Sequence, residues 1–356
     1  MSIKCLMYDY SHIPTPNKGH GKVYGCINLD IESKLEIYDY ASNNLNPTHE
    51  YDIIWIYGLD LGLNPSENYI KNSKFIDYLN EYVNNFDKLI FDLQGEGAHN
   101  VGFLNRCDNF RNSLNYTNYT AKILWNINQK IYHKDYDIFY KPAYELVYWY
   151  YAKNIIKEEF SNLVYRNYIF SFLNGKIGDR PHRYTMLKKI DGLNGGLISC
   201  LDSSTDVKYR KLFETDSLIN KFASGGEIVK QSYINLVSET DDGSETNGIF
   251  ITEKSLKPFI YSQIPIILGK SGIVNHLRSY GFDMFDDIID HAYDSVDNID
   301  EKTDLIYVEL EKISKLKLPE MYSTLIDRFK HNYDLFYKLV DDNRDIKSEI
   351  ANWILN

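Results

Sequence analysis

Short apolar runs of strand length alternate with longer stretches whose apolar residues recur at helical spacing, and this alternation limits the fold more than any other feature. In the first half the runs are KCLMYDY (from Lys4), YDIIWIYGLDLG (from Tyr51), DKLIFDLQ (from Asp87) and AKILWNI (from Ala121). Between the second and third, NYIKNSKFIDYLNEYVNNF carries the apolar spacing of a helix. Strand, helix and strand at this interval predict parallel βαβ units. A second set follows: NYIFSFLNG (from Asn167), a helix after Pro181, then GLISCLD, SYINLVSET, GIFITE and QIPIILGK as strands. The stretch AYELVYWYYAKNIIKEEFSNLVY, after Pro142, reads as one helix joining the two sets, and helices are expected from about Thr303 to Leu355 with a break near Pro319.

The expected class is therefore α/β, with an N-terminal domain over 1–160, a second over 161–300 and C-terminal helices over 301–356 that pack back on them. A chain of 356 residues is long for one core and suits two. No apolar run approaches the roughly 20 residues of a membrane span, and MSIKCLMYDYSH lacks the apolar core of a signal peptide. A soluble, cytoplasmic protein is expected. Cys5, Cys26, Cys107 and Cys200 are scattered without a CxxC pair, which argues against a zinc site or a disulfide framework. The net charge of −11 disfavours a general nucleic-acid coat, because phosphate binding needs concentrated positive charge, although a local basic cleft is compatible with it. The 31 tyrosines lie along the whole length and fit the codon bias of an AT-rich, for instance viral, genome better than one aromatic surface.

The second half holds the chemistry. In FLNGKIGDRPHRYTMLKKI (from Phe172) a strand ends at Asn174 and a glycine-containing loop leads into a helix opened by Pro181, which suits the first helical turn. Arg180 and Arg183 then fall in the loop or first turn, at the carboxyl edge of a parallel sheet, where ligand crevices form and where a helix N-terminus attracts anions. Further on, Thr252 can cap a helix whose first turn holds Glu253 and Lys254. The helix dipole favours Glu253 there and opposes Lys254, so the lysine makes sense beside an anion. Pro258 should kink or restart that helix.

Strand, carboxylate, loop, Thr-Glu-Lys, helix and IPIILG resemble the donor-domain signature of fucosyltransferase-like GT-B glycosyltransferases, in which a proline follows the glutamate at the separation of Glu253 and Pro265. Glu245 and Glu253 also match the spacing of the two glutamates in retaining GT-B enzymes, but that family reaches its Gly-x-Pro strand sooner. The resemblance runs from about Asn167 to Asp290, with Asn174–Arg183 similar to the first donor-site loop. It implies two Rossmann-like domains facing a cleft and transfer of a sugar from a GDP- or UDP-linked donor, inverting and without an obligatory divalent metal. Asn174, Arg180, Arg183, Glu239, Glu253 and Lys254 are implied as donor-binding residues: Glu253 on the ribose hydroxyls, Lys254 and Arg183 on the pyrophosphate with Arg180 nearby, and Glu239 facing the sugar. Fixed cations would stabilise the leaving nucleoside diphosphate. The acceptor is a glycan or another hydroxyl; a hydroxymethylated pyrimidine in DNA, as for phage-type enzymes, stays open, as does a non-catalytic nucleotide- or carbohydrate-binding protein.

An inverting transfer needs a general base from the first domain. FDLQGEGAHN offers Asp92 at a strand end, then Glu96 and His99 on a glycine-flanked loop, and NKGHGKVYG holds His20. A strand-to-helix turn with a solvated Glu96 fits the same residues equally well. The acidic run FDMFDDIIDHAYDSVDNIDEKTD reads as a solvated helical face, since it lacks the alternating oxygens and glycine of a calcium loop.

Overall fold

The computed structural model describes residues 3–9, 35–40, 43–57, 65–83, 85–93, 102–125, 133–142, 145–147, 159–175, 177–178, 180–200, 226–240, 249 and 251–356. Two compact units result, Met1–Tyr144 with Asn343–Asn356, and Glu145–Asp342. Among the described residues no helix is long and apolar enough to cross a membrane.

The first unit is built on a parallel sheet of β1 (Ile3–Asp9), β2 (Leu35–Asp39), β3 (Ile53–Tyr57), β4 (Lys88–Leu93), β5 (Thr120–Trp125) and β6 (Asp137–Phe139), in the order β2-β1-β3-β4-β5-β6. Helices α1 (Pro65–Tyr82) and α2 (Gly102–Asn112) accompany it. Ile54, Trp55, Ile56, Leu89, Ile90 and Phe91 are fully or nearly fully buried, as expected of parallel strands covered on both faces. The chain's last helix, Ile346–Leu355, belongs to this unit. Its terminal carbonyls have no partner within the helix; the Lys122 ammonium donates to Trp353 O (2.6 Å) and that of Lys88 to Leu355 O. Both lysines place positive charge where the helix dipole is negative.

The second unit holds the parallel strands β7 (Tyr168–Asn174), β8 (Gly196–Cys200), β9 (Ser232–Ser238) and β10 (Ile264–Leu268), in the order β10-β9-β7-β8. Helix α3 (Pro181–Ile190) follows β7, the short α4 (Gly226–Val229) precedes β9, and α5 (Glu253–Ile260) joins β9 to β10. Then come α6 (Ile273–Ser279), a 3-10 helix (His291–Ser295), α7 (Ile299–Ser314), α8 (Leu318–Ser323) and α9 (Ile326–Asp342). Every residue of β9 and β10 is buried. The β7→β8 and β9→β10 crossovers run in opposite directions, so right-handed connections put α3 and α5 on opposite faces. Helix α7 packs on α3, and α9 on α5. Rings of Phe259 and Phe282 stack at 4.0 Å beside α5.

Arg166, just before β7, ties the amino edge of this sheet together. Its guanidinium donates to the carbonyls of Lys230 (2.7 Å), Ser232 (3.2 Å), Tyr261 (3.1 Å) and Ser262 (3.0 Å), and lies over the Tyr322 ring. Burial pushes its pKa down. Nothing in the local sequence marks this arginine, because its partners come from three distant segments.

Several expectations need correction. The run GIFITE is not a strand where it is described: Ile251 and Thr252 belong to neither sheet, and Thr252 is extended because it caps α5. The helix expected after Pro142 does not include residues 159–166, which have no regular structure and lead directly into β7. Helix α5 runs through Pro258 and ends two residues later, so the lost backbone donor falls near its end. Residues 282–290 of the acidic run form loop and turns rather than a helical face, and their carboxylates have specific partners. Asp283 and Asp287 grip Arg328, while Asp294 bonds the backbone N–H groups of Val274 and Asn275.

Candidate functional site

In a doubly wound sheet a ligand crevice lies beyond the carboxyl ends of the strands, where the crossover direction reverses. In the second unit that point is between β7 and β9. The β8 and β10 ladders run to the last residue of their partners, pairing Asn174 with Cys200 and Ser238 with Leu268. The β7–β9 register runs from Tyr168↔Ser232 to Ser171↔Asn235 and stops three residues short of both strand ends. The β7–β9 ladder therefore stops short of Asn174 and Ser238.

Both of those side chains have buried polar atoms with no partner. Asn174 is 6 % exposed, and neither its Nδ2 nor its Oδ1 is hydrogen-bonded; the Ser238 hydroxyl is likewise orphaned. Buried polar groups are nearly always satisfied, so two orphans at the switch point need a reason.

The end of β9 is held from both faces. Glu239 is 0 % exposed, and its carboxylate accepts from Thr252 N (3.1 Å) and Ser255 Oγ (2.5 Å) on one oxygen, and from Thr252 Oγ1 (2.6 Å) and Thr240 N (3.3 Å) on the other. This carboxylate is saturated by the start of α5. It anchors that helix to β9, so the expected role of facing a donor sugar does not fit its geometry. On the other face, Arg183 is 4 % exposed and donates from Nη2 to Glu239 O (2.8 Å) and Ser238 O (3.3 Å), and from Nε to Glu239 O (3.3 Å). His182 Nε2 lies 3.0 Å from the same Glu239 oxygen. Arg183 thus caps strand carbonyls with donors that were expected to hold a pyrophosphate.

Thr252 is the N-cap of α5 as its sequence position suggests, accepting from Lys254 N at 3.2 Å. Its hydroxyl oxygen also accepts from Lys254 Nζ (3.1 Å), which lies 3.4 Å from Thr240 Oγ1 and 3.5 Å from Glu253 Oε1. The cation that the dipole disfavours is balanced by the chain's own carboxylates, Glu253 beside it and Glu239 beneath Thr252. Glu253 is buried at the first helical position. Arg183 and Lys254, in the first turns of α3 and α5, both reach residues 239–240, one through a carbonyl and the other through a hydroxyl.

Among the described residues three helices, α3, α5 and α6, begin at this edge. The start of α5 holds Glu239, and the N-terminus of α6 holds Asp294, whose carboxylate oxygens lie 3.1 Å from Val274 N and 3.2 Å from Asn275 N. α3 has Pro181 in its first turn and Arg180 at the N-cap, whose own side chain makes no cap bond. Lys302, missed in the sequence, is buried with its ammonium on Gly269 O (2.7 Å) and Ser271 Oγ (3.1 Å), in the loop from β10 to α6.

In the first unit Asp92 is fully buried and accepts from Trp55 Nε1 at 3.1 Å. That contact fixes it inside β4 rather than presenting it to an acceptor. Glu96, His99, His20 and Glu245 lie outside the described residues. Among the described residues no group of three or more His, Cys, Asp or Glu is placed to hold a metal ion. A cavity of about 520 Å³ lies beside the start of α6, lined by Asn275, Arg278, Asp286, His291 and Lys312 among others. Arg278 pairs with Asp286 there, Asp287 with Arg328 and Lys312 with Glu309. No protein-family model, curated protein or solved structure matches the chain.

Proposed function

We propose that the chain is a glycosyltransferase that takes its sugar from a GDP- or UDP-linked donor, bound at the carboxyl edge of the second sheet. The observation that carries this reading is the switch point between β7 and β9, where the ladder stops short of the strand ends and the buried amide of Asn174 has no partner, with the start of α3 beside it. A doubly wound sheet with this feature is suited to a nucleotide ligand. The diphosphate is assigned to the N-terminus of α3 with Arg180, because the starts of α5 and α6 already hold carboxylates. Lys254 and Glu253 stand in the first turn of α5, where a lysine and a carboxylate suit a phosphate oxygen and ribose hydroxyls. Arg183 and Glu239 act indirectly, by fixing the end of β9 and the start of α5. The leaving nucleoside diphosphate gains charge as the glycosidic bond breaks, and fixed cations stabilise it without reorganising.

A thermal-shift panel of nucleotide sugars tests the reading. A matching donor at 100 times its dissociation constant should stabilise the fold by about 2.7 kcal/mol, and Arg180→Ala should abolish most of that shift. Release of nucleoside diphosphate on addition of acceptor distinguishes an enzyme from a binding protein. If no nucleotide or nucleotide sugar shifts the unfolding transition at millimolar concentration, the proposal fails.

A further inference from the structure

The orphaned atoms at the switch point specify more than the presence of a ligand. Asn174 and Ser238 lie on the same face of the sheet: each stands four residues beyond the Phe170↔Ile234 pair, and side chains alternate with period two. Glu239, one residue on, points to the opposite face and into α5. The two orphans therefore sit on the α3 side, below the helix start to which the diphosphate is assigned.

We propose that Asn174 and Ser238 form a subsite for a neutral group that both donates and accepts hydrogen bonds, a sugar hydroxyl or the amide edge of a nucleobase, and that no phosphate enters it. This rests on the nucleotide-sugar reading above. Asn174 offers an unused donor (Nδ2) and an unused acceptor (Oδ1), and Ser238 adds a hydroxyl that can do either. A phosphate oxygen only accepts and would leave Oδ1 bare; a cation would leave Nδ2 bare. Only a group with both functions satisfies the amide. A site built in this way rejects analogues lacking the matching hydroxyl or amide, because the buried amide is then left unpaired again. The polar pair thus supplies selectivity, while α3 and Arg180 supply charge attraction.

Calorimetric titration of the full chain with pyrophosphate, with the nucleoside diphosphate and with the nucleotide sugar tests the assignment on wild type, Asn174→Leu and Ser238→Ala. Asn174→Leu should leave pyrophosphate affinity within about twofold and weaken the matching larger ligand about tenfold or more, as expected for a lost buried hydrogen bond of this kind. Ser238→Ala should act in the same direction with a smaller loss. A loss with both nucleoside diphosphate and nucleotide sugar identifies the base edge, and a loss with the nucleotide sugar alone identifies the sugar; either upholds the proposal. Unliganded Asn174→Leu should also melt higher than wild type, since it removes an unsatisfied buried amide. Equal weakening of pyrophosphate overturns the proposal, and so does unchanged affinity for all three ligands, the result expected if the orphans only hold water. If wild type binds none of the three, the function proposed above is refuted and this assignment with it.

Discussion

Replacing Glu239 by glutamine exchanges one carboxylate oxygen for an NH₂ group and tests whether this side chain holds α5 to β9. Each carboxylate oxygen accepts one backbone N–H and one hydroxyl: Thr252 N with Ser255 Oγ, and Thr240 N with Thr252 Oγ1. The hydroxyls can rotate to accept from an amide; the backbone N–H groups cannot. Either orientation of the introduced amide therefore sets its NH₂ against a backbone N–H. The unsatisfied donor costs about 1–3 kcal/mol. The remaining bonds lose their ionic character, which roughly halves their strength. Relief from burying a charge offsets part of this, leaving about 2–4 kcal/mol of destabilisation. For a unit of this size that is roughly 4–16 °C in melting temperature. Thermal unfolding followed by amide exchange over 232–260 localises the effect. A Glu239→Gln variant within about 0.5 kcal/mol of wild type, with unchanged exchange in α5, would refute the anchoring role.

Arg183→Lys should destabilise the unliganded protein by about 2–4 kcal/mol, because a single ammonium cannot reproduce the forked bonds to Ser238 and Glu239 carbonyls; a variant of normal stability that no longer binds nucleotide would return Arg183 to the ligand. Arg166→Met should cost at least about 3 kcal/mol, read by urea unfolding, since four carbonyls lose their donor; an unchanged midpoint would contradict it. Burial lowers the pKa of His291, whose ring nitrogens contact Met284 O and Tyr293 OH. The unfolded chain then binds the proton more readily, so stability is full above the ordinary value near 6.5 and falls as pH drops below it. His291→Gln should flatten that slope, and an identical pH profile in the variant would exclude His291 as its source.

The strands that could be read from the sequence are those buried on both faces. Ile53–Tyr57, Lys88–Leu93, Ser232–Ser238 and Ile264–Leu268 appear as continuous apolar runs because helices cover each side. Edge strands β2 and β6 escaped notice: in Leu35–Asp39 only Leu35 is buried, and Asp137–Phe139 spans three residues. The polar composition of Gly102–Asn112 likewise hid α2. At the site, the local signals held. Pro181 opens α3 and Thr252 caps α5, because both act through their own backbone neighbourhood. The roles of Glu239 and Arg183 were not legible. The Glu239 carboxylate bonds the start of α5 and the Arg183 guanidinium bonds the last carbonyls of β9 only once β9 lies between α3 and α5, and no spacing rule encodes that arrangement. Asn174 was legible as a residue at a strand end, but its lack of a partner is a property of the packed sheet.

We propose that a nucleotide sugar seats at the β7–β9 switch point of the second sheet. Hydrogen–deuterium exchange with and without a saturating nucleotide sugar tests it most directly. Slowed exchange is expected in 174–184 and 238–240, where β7, β9 and the start of α3 come together, with weaker protection at 252–255. Protection confined to the cavity beside Arg278 and His291, or no protection anywhere in the second unit, would contradict it.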